Sequence, residues 1–181
     1  MLNILKELNR SKELACYYSG ESTETFDVGI VLALNSEYMA FQSLNKNGED
    51  DGVYAYKTDL IFRVETKGQY LEKMKKLSGE IGVCEIAEEI DEDDIINSLL
   101  QAALKRKAIV SVTLIAGEDV DFVGFVESIE DGECKFRIVD EYGFEDGFGY
   151  GKLSDIVRMS YMSADDKRYM QLWKANYEHN G

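Results

Sequence analysis

The residues best suited to chemistry lie in two short acidic stretches, Glu49-Asp50-Asp51-Gly52 and Glu145-Asp146-Gly147, which are 95 positions apart. Closely spaced carboxylates such as those of Asp51 and Asp146 could hold a hard cation such as calcium through oxygen ligands. The spacing is not that of an EF-hand loop. The same residues suit a tight turn in which aspartate bonds its own backbone and glycine takes a positive φ. We favour the turn.

Arg63 and Arg158 recur at the same spacing and form the second candidate pair. A guanidinium offers a planar fork that can clamp an anion or a carboxylate. The alternative is an ion pair within each copy, with Asp51 or Asp146, that fixes the acidic turn against a strand. We favour the structural interpretation. The arginine recurs in both copies, and each copy would need its own ion pair to fix its turn.

An aromatic-rich segment surrounds the second acidic stretch and includes Tyr142, Phe144, Phe148 and Tyr150. Such residues can form a partner surface or a platform on which nucleic-acid bases stack. They can equally pack in a core or between domains. The acidic residues around them make nucleic acid the weaker of the functional options.

The chain contains no recognisable catalytic arrangement. His179 is the only histidine, which excludes a Ser-His-Asp or Cys-His set, and no glycine-rich phosphate loop follows a strand. Cys16, Cys84 and Cys134 form no CxxC, whereas a structural zinc site needs four ligands with local pairing. We therefore predict a protein that is not an enzyme and binds no cofactor and no metal.

Charge and hydropathy indicate the compartment and the class of partner. The 20 basic and 35 acidic residues leave a net charge of −15, which disfavours DNA and RNA because phosphate backbones attract basic surfaces. No apolar run approaches the roughly 18 residues of a membrane span, and the N-terminus lacks a signal pattern. Unpaired cysteines are typical of the cytosol. We predict a cytoplasmic protein without a membrane partner.

All of these candidates belong to a stretch that occurs twice without a gap, at residues 27–64 and 122–159. An internal repeat of this kind predicts two copies of one structural unit. The predicted boundaries are a first domain at 1–78, an acidic linker at 79–94 and a second domain at 95–181. In each copy a helix precedes five strands and another helix closes the unit. Matching Tyr70 with Tyr169 gives a spacing of 99, which predicts a four-residue insertion before the second closing helix.

The second strand of each copy carries an interior glycine, Gly29 or Gly124, which predicts a bulge or a sharp bend. Several apolar segments accompany this glycine. In the second copy they are Val112-x-Leu114, Phe122-Val-Gly124-Phe-Val126, Cys134-x-Phe136-x-Ile138 and Ile156-Val-Arg158-Met159, and in the first copy Val28-Gly29-Ile-Val31, Phe41 and Ile61-Phe-Arg63-Val64.

This pattern resembles the Sm/LSm-like small barrel of the SH3-like class, including uncharacterised tandem proteins of Gram-positive bacteria. The resemblance implies a mainly β fold of two tandem, Sm-like, five-stranded barrels, each preceded and followed by a helix. Sm-like RNA binders carry Arg-Gly before their fifth strand. Here Arg63 is followed by Val64 and Arg158 by Met159.

We therefore expect a binding or adaptor module for a protein partner. Self-association is a further expectation, because small sheets leave edges to which a neighbouring strand can pair. The alternative is an Sm-like RNA-binding protein. That alternative requires one contiguous basic groove, for which the candidate residues are Arg10, Lys12, Lys105, Arg106, Lys107 and Arg137.

Overall fold

The computed structural model describes residues 1–20, 24–115 and 119–178. The chain divides into two compact units, unit 1 at Met1–Ile95 and unit 2 at Ile96–Gly181. The architecture is mainly β with four helices among the described residues, which confirms the predicted fold class at that level.

Unit 1 contains two helices and five strands. These are α1 (Leu2–Ser11), β1 (Ala15–Ser19), β2 (Asp27–Leu34), β3 (Tyr38–Leu44), β4 (Asp50–Lys57), β5 (Ile61–Glu65) and α2 (Gln69–Ser78). Unit 2 follows the same order. Its elements are α3 (Ile95–Arg106), β6 (Ile109–Leu114), β7 (Phe122–Glu130), β8 (Glu133–Val139), β9 (Glu145–Lys152), β10 (Ile156–Tyr161) and α4 (Ala164–Tyr177).

The strands of each unit form an antiparallel sheet. The order is β5-β1-β2-β3-β4 in unit 1 and β10-β6-β7-β8-β9 in unit 2. Among the described residues no pairing joins the first and last strands of either order, so neither set of five strands is closed within its own unit. The closed barrels implied by the Sm-like resemblance stay a prediction.

The 95-residue spacing extends to the backbone conformation. The β2–β3 ladder shifts register between Val31 and Ala33, and the β7–β8 ladder shifts between Val126 and Ser128. Residues with positive φ recur at the same spacing: Lys12 and Lys107, Gly20 and Ile115, Gly48 and Gly143, Gly52 and Gly147, Lys67 and Met162. The two units therefore share one backbone design.

The predicted four-residue insertion before α4 is wrong. Gly68 is the N-cap of α2 and Ser163 the N-cap of α4, so the spacing of 95 persists into the closing helices. The structural equivalent of Tyr169 is Met74, which packs on the same side of its sheet. Aligning Tyr70 with Tyr169 followed residue type, whereas burial on the sheet determines the register of the helix.

The sheet of unit 1 is covered on both sides, by α1 on one and by α2 on the other. Residues of α1 such as Leu5 and Leu8 pack with Phe41 on one side. Leu71 and Met74 of α2 pack on the other. The helix spacing of these leucines and methionine produces the apolar stripe that each helix buries. Burying one such side chain stabilises the fold by about 1.5–3 kcal/mol.

The interior glycines mark a close backbone approach. A Cβ atom on Gly29 would lie 2.2 Å from the carbonyl oxygen of Gln42, and one on Gly124 would lie 2.0 Å from that of Arg137. Neither distance is tolerable for a carbon and an oxygen atom. Glycine is therefore required for β2 to meet β3, and for β7 to meet β8.

The segment 79–94 was predicted to be a linker, and it lies within unit 1. Its acidic side chains are largely exposed, as expected for a solvated run. Its backbone, however, is bonded to β3 through the side chain of Gln42, and Asn35 Nδ2 donates to the carbonyl of Glu92 at 2.7 Å. Ile86, in its short 3₁₀ helix, is buried.

The N-terminus of α4 is held by a buried carboxylate. Asp166 accepts hydrogen bonds from Ser111 Oγ at 2.7 Å, Ser160 Oγ at 2.9 Å and the Ser163 backbone N–H at 3.0 Å. In unit 1 the position of Asp166 is taken by Leu71, which is buried among apolar side chains. The two units thus fill the same place with a polar network in one case and an apolar contact in the other.

Gly143→Ala is expected to lower the free energy of unfolding by about 3 kcal/mol, because positive φ strain adds to steric overlap. A Cβ atom there would lie 2.6 Å from Leu172 Cβ at φ +83°. Gly147→Ala is the matched control, since φ is +81° but nothing lies within 4 Å. It should cost only about 1–2 kcal/mol. Urea unfolding measures both, and equal losses would contradict this account.

Asp166→Leu is expected to lower the free energy of unfolding by about 2–4 kcal/mol, because it leaves the two buried donors of Ser160 and Ser163 and the partly buried donor of Ser111 without this acceptor. Combining it with Ser111→Cys and Ser160→Ala removes two of those donors and should restore part of the loss. The measurement is again urea unfolding. A triple variant no more stable than Asp166→Leu alone would show that the hydroxyl groups do not cause the penalty.

Candidate functional site

The acidic stretches lie at the starts of β4 and β9. Gly52 has φ +77°, and its N–H donates to Asp50 Oδ2 at 3.3 Å, as the turn interpretation predicts. Gly147 has φ +81°. In the parts of the chain that the structure describes, no three His, Cys, Asp or Glu side chains converge in a way that could hold a metal ion.

The predicted ion pair between Arg63 and Asp51 is wrong. Arg63 pairs with Glu65 on its own strand and lies 4.5 Å from the centre of the Tyr18 ring. Asp51 is on β4, at the other end of the strand order, and accepts a hydrogen bond from Tyr54 Oη at 3.4 Å. Arg63 and Asp51 thus have different partners, Glu65 and Tyr54.

The corresponding residues of unit 2 lie in different environments. Arg158 is half-buried on β10, opposite Thr113, whereas Asp146 is exposed on β9.

Tyr142 and Phe144 belong to a turn that is anchored to α4. Asp140 Oδ1 accepts from the backbone N–H groups of Tyr142 at 3.0 Å and Phe144 at 2.8 Å. Asn176 Nδ2 donates to the Tyr142 carbonyl, and the Phe144 ring meets the Tyr177 ring edge-on. Both side chains are exposed, but the turn itself is a structural element of the unit.

Phe148 lies on β9 in a different setting, next to Tyr150 on the same side of the strand. Phe148 is 53% exposed and Tyr150 65% exposed. Lys135 Nζ lies 4.1 Å from the centre of the Phe148 ring and 6.0 Å from that of Tyr150. The sheet pairs Lys135 with Tyr150 and Arg137 with Phe148, so cations and rings share one surface.

We call this surface the β8–β9 face; it consists of Lys135, Arg137, Phe148, Tyr150 and Lys152. The strand β9 lies at the end of the unit's order and pairs with β8 on one side. At the end of the face near Lys152, a shallow hollow of about 290 Å³ is lined by Tyr150, Glu133, Asp155 and neighbouring residues. An exposed ring pair beside a cation on an end strand is a surface suited to binding.

Arg137 connects this face to α4. Its guanidinium lies 4.7 Å from the Phe125 ring centre and 5.9 Å from that of Trp173. It donates to Glu127 Oε1 at 2.8 Å and to Glu145 Oε1 at 2.5 Å. Burial alone would lower the pKa of Arg137, but the hydrogen bonds to these carboxylates outweigh it and raise the pKa.

The equivalent surface of unit 1 is buried. The residues equivalent to Phe148 and Tyr150 are Val53 and Ala55, whose exposed fractions are 2% and 0%. The residue equivalent to Arg137 is Gln42, which is also buried. Sequence reasoning identified Phe148 and Tyr150 but missed Lys135 as their companion. The available signal was the replacement of Ala40 by Lys135 at the constant spacing of 95 residues.

Comparison with family models, with curated proteins and with solved structures finds no match to this chain. The described helices include none with the length and hydropathy needed to cross a membrane. The geometry of the β8–β9 face is therefore the basis on which function is argued.

Arg137→Gln, which introduces the residue found in unit 1, is expected to lower the free energy of unfolding by about 1–2 kcal/mol. The loss combines two ion pairs with the contact to aromatic rings, at a side chain that is only 28% exposed. The control is Arg168→Gln, whose 63% exposed side chain pairs with Asp165 along one helix. It should cost less than about 0.5 kcal/mol. Similar losses in urea unfolding would exclude a special role for Arg137.

Proposed function

We propose that this protein is a non-enzymatic binding module that takes a protein partner on the β8–β9 face of unit 2. The observation that carries the proposal is the exposure of Phe148 and Tyr150 beside Lys135 on an end strand. Large exposed apolar side chains that lie together are typical of interaction surfaces. Aromatic residues are also the commonest anchors of protein interfaces.

The comparison between the units supports a binding role over a folding role. Val53 and Ala55 serve the stability of unit 1 from buried positions. The rings that replace them in unit 2 remain more than half exposed and so contribute little burial to folding. Among the described residues β9 pairs with β8 alone, so its other side adds backbone groups to which an extended partner segment can pair.

The proposal includes the Sm-like small barrel as the form of each unit. Its support is the arrangement of a helix followed by five antiparallel strands, with glycine in the second strand. It also includes a cytoplasmic location with reduced cysteines. Burial raises the pKa of the Cys16 thiol to about 11 and that of Cys134 to about 12, so neither is a ready nucleophile.

An RNA-binding function is the alternative, because rings beside a lysine can also stack on bases. Two observations disfavour it. Lys12 Nζ donates to the backbone carbonyls of Val31 and Leu32, each at 3.0 Å, and Arg137 is bonded to two carboxylates. Two of the six cations of the proposed basic groove are therefore committed to contacts within their own unit.

The test is an affinity pull-down from native cytosol, with and without nuclease, using the wild-type chain and the double variant Phe148→Ala/Tyr150→Ala. We expect a protein that survives nuclease treatment and whose recovery falls by about tenfold with the double variant, because anchors dominate interface energy. Tyr142→Ala is the matched control, since it removes an equally exposed ring outside the β8–β9 face.

Recovery of nuclease-sensitive material alone would favour the RNA alternative. A partner retained equally by the double variant would place the binding surface elsewhere. If the partner is a second copy of the chain, sedimentation velocity should show a concentration-dependent increase in mass for the wild type and a smaller one for the double variant.

A further inference from the structure

A row of aromatic rings runs through unit 2 from its core to its surface. The Phe125 ring meets that of Trp173 edge-on, with 5.0 Å between the ring centres, and Trp173 stacks on Tyr177 at 5.3 Å. The Phe144 ring then meets Tyr177 edge-on at 6.4 Å. Phe125 is buried, whereas Tyr177 and Phe144 are exposed. The row therefore begins in the core and ends in solvent.

The inner part of this row already binds a cation of the unit itself. The guanidinium of Arg137 lies 4.7 Å from the centre of the Phe125 ring and 5.9 Å from that of Trp173. The same guanidinium donates to the carboxylates of Glu127 and Glu145. Rings and carboxylates hold the cation together, because attraction to the ring faces adds to the ion pairs.

The outer end of the row combines the same two kinds of group. Three rings are exposed there, and exposed carboxylates lie within two residues of them in the sequence. We call this the turn–α4 surface; it consists of Tyr142, Phe144, Tyr177, Glu141, Asp146 and Glu178. The last turn of α4 adds Lys174, so the carboxylates outnumber the cation. In the described part of the chain, the lysines and arginines that lie over rings contact rings other than these three.

The corresponding turn of unit 1 shows that aromatic residues are not needed to form this turn. Asn45 Oδ1 accepts from the backbone N–H groups of Asn47 at 2.8 Å and Glu49 at 3.2 Å. Asp140 Oδ1 makes the same pair of hydrogen bonds in unit 2. The two turn rings of unit 2 thus occupy positions at which polar side chains support the same backbone.

The charge of the turn changes together with the rings. Residues 45–49 are neutral in sum, since one lysine accompanies one glutamate, whereas residues 140–144 contain Asp140 and Glu141 and no basic residue. Carboxylates attract a cation, and so does the net charge of −15 of the whole chain. Exposed aromatic rings attract a cation through their faces. Both changes therefore favour a cationic ligand.

We infer that the turn–α4 surface binds an arginine-bearing, basic segment of a protein partner. A guanidinium of that segment lies over the rings of Phe144 and Tyr177, as Arg137 lies over the inner rings, and pairs with the carboxylates around them. Arginine fits better than lysine because its planar group can stack on a ring and pair with a carboxylate at once. The surface shares no residue with the β8–β9 face, so this segment is an occupant beyond the proposed function.

The probe is a short, labelled peptide that alternates glycine with arginine, and its fluorescence anisotropy is followed as the full chain is added at physiological salt. We expect saturable binding that weakens as more salt is added. A peptide with lysine in place of arginine should bind about threefold more weakly, because an ammonium group has no planar face. A peptide with glutamate at these positions should not bind.

Two substitutions that introduce the residues of unit 1 test the surface itself. Tyr142→Asn removes a ring and Glu141→Lys reverses a charge, and each should weaken binding of the arginine peptide by about fivefold. Unit 1 forms the same turn with these residues, so we expect both variants to fold. Phe62→Asn and Glu130→Lys are the matched controls, since they remove an exposed ring and reverse an exposed charge elsewhere. They should change the affinity by less than about twofold.

Binding of the arginine peptide that neither turn variant weakens would overturn the inference. An equal loss with Glu130→Lys would also overturn it, because the effect would then come from the net charge of the chain. So would a lysine peptide that binds as tightly as the arginine peptide. Absence of binding by the arginine peptide would overturn the inference and leave the proposed function standing, because Phe148 and Tyr150 take no part in this test.

Discussion

A backbone carbonyl lies against a glycine in both units, and the geometry of each sheet depends on that contact. Gly29 meets the carbonyl of Gln42, and Gly124 meets that of Arg137, at distances that exclude any side chain. The approach sets the pairing register of the two strands involved. Because side chains alternate between the faces of a strand, a set register also determines which residues point away from the core.

Gln42 and Arg137, whose carbonyls make this contact, carry the side chains that distinguish the two units. Gln42 binds the backbone of residues 82 and 84, so a segment of unit 1 passes over its own β3 at this position. Arg137 turns instead toward Trp173 and two glutamates. One backbone position thus supports a covered surface in one unit and an uncovered one in the other.

Other positions show the same separation between a retained backbone and changed side chains. The N-terminus of α4 is fixed by Asp166 and its hydroxyl donors, whereas α2 is fixed by the apolar Leu71. The same backbone accommodates both side chains. Buried Asp166 is satisfied by hydrogen bonds, and Leu71 is satisfied by burial among apolar side chains. The β8–β9 face differs from these, since the rings of Phe148 and Tyr150 are more than half exposed. That exposure is the physical basis of the proposed binding role.

The constant spacing of 95 residues by itself determines much of the fold. It located the helices and the five strands of each unit, the required glycines and the correspondence between the copies, because these features depend on local periodicity and backbone conformation. It also located Phe148 and the other aromatic candidates. Where residue type was followed instead of spacing, as for Tyr70 and Tyr169, the alignment was wrong.

Only the tertiary structure decided which of the candidate residues share a surface. It paired Arg63 with Glu65 and gave Asp51 a hydrogen bond from Tyr54. It anchored Tyr142 and Phe144 to α4 and brought Lys135 over Phe148 and Tyr150. Sequence could not determine these outcomes, since the exposure of a ring or the partner of a charge depends on which distant segment covers it. In unit 1 that segment begins with the turn at Gly79, whereas in unit 2 the helix simply continues.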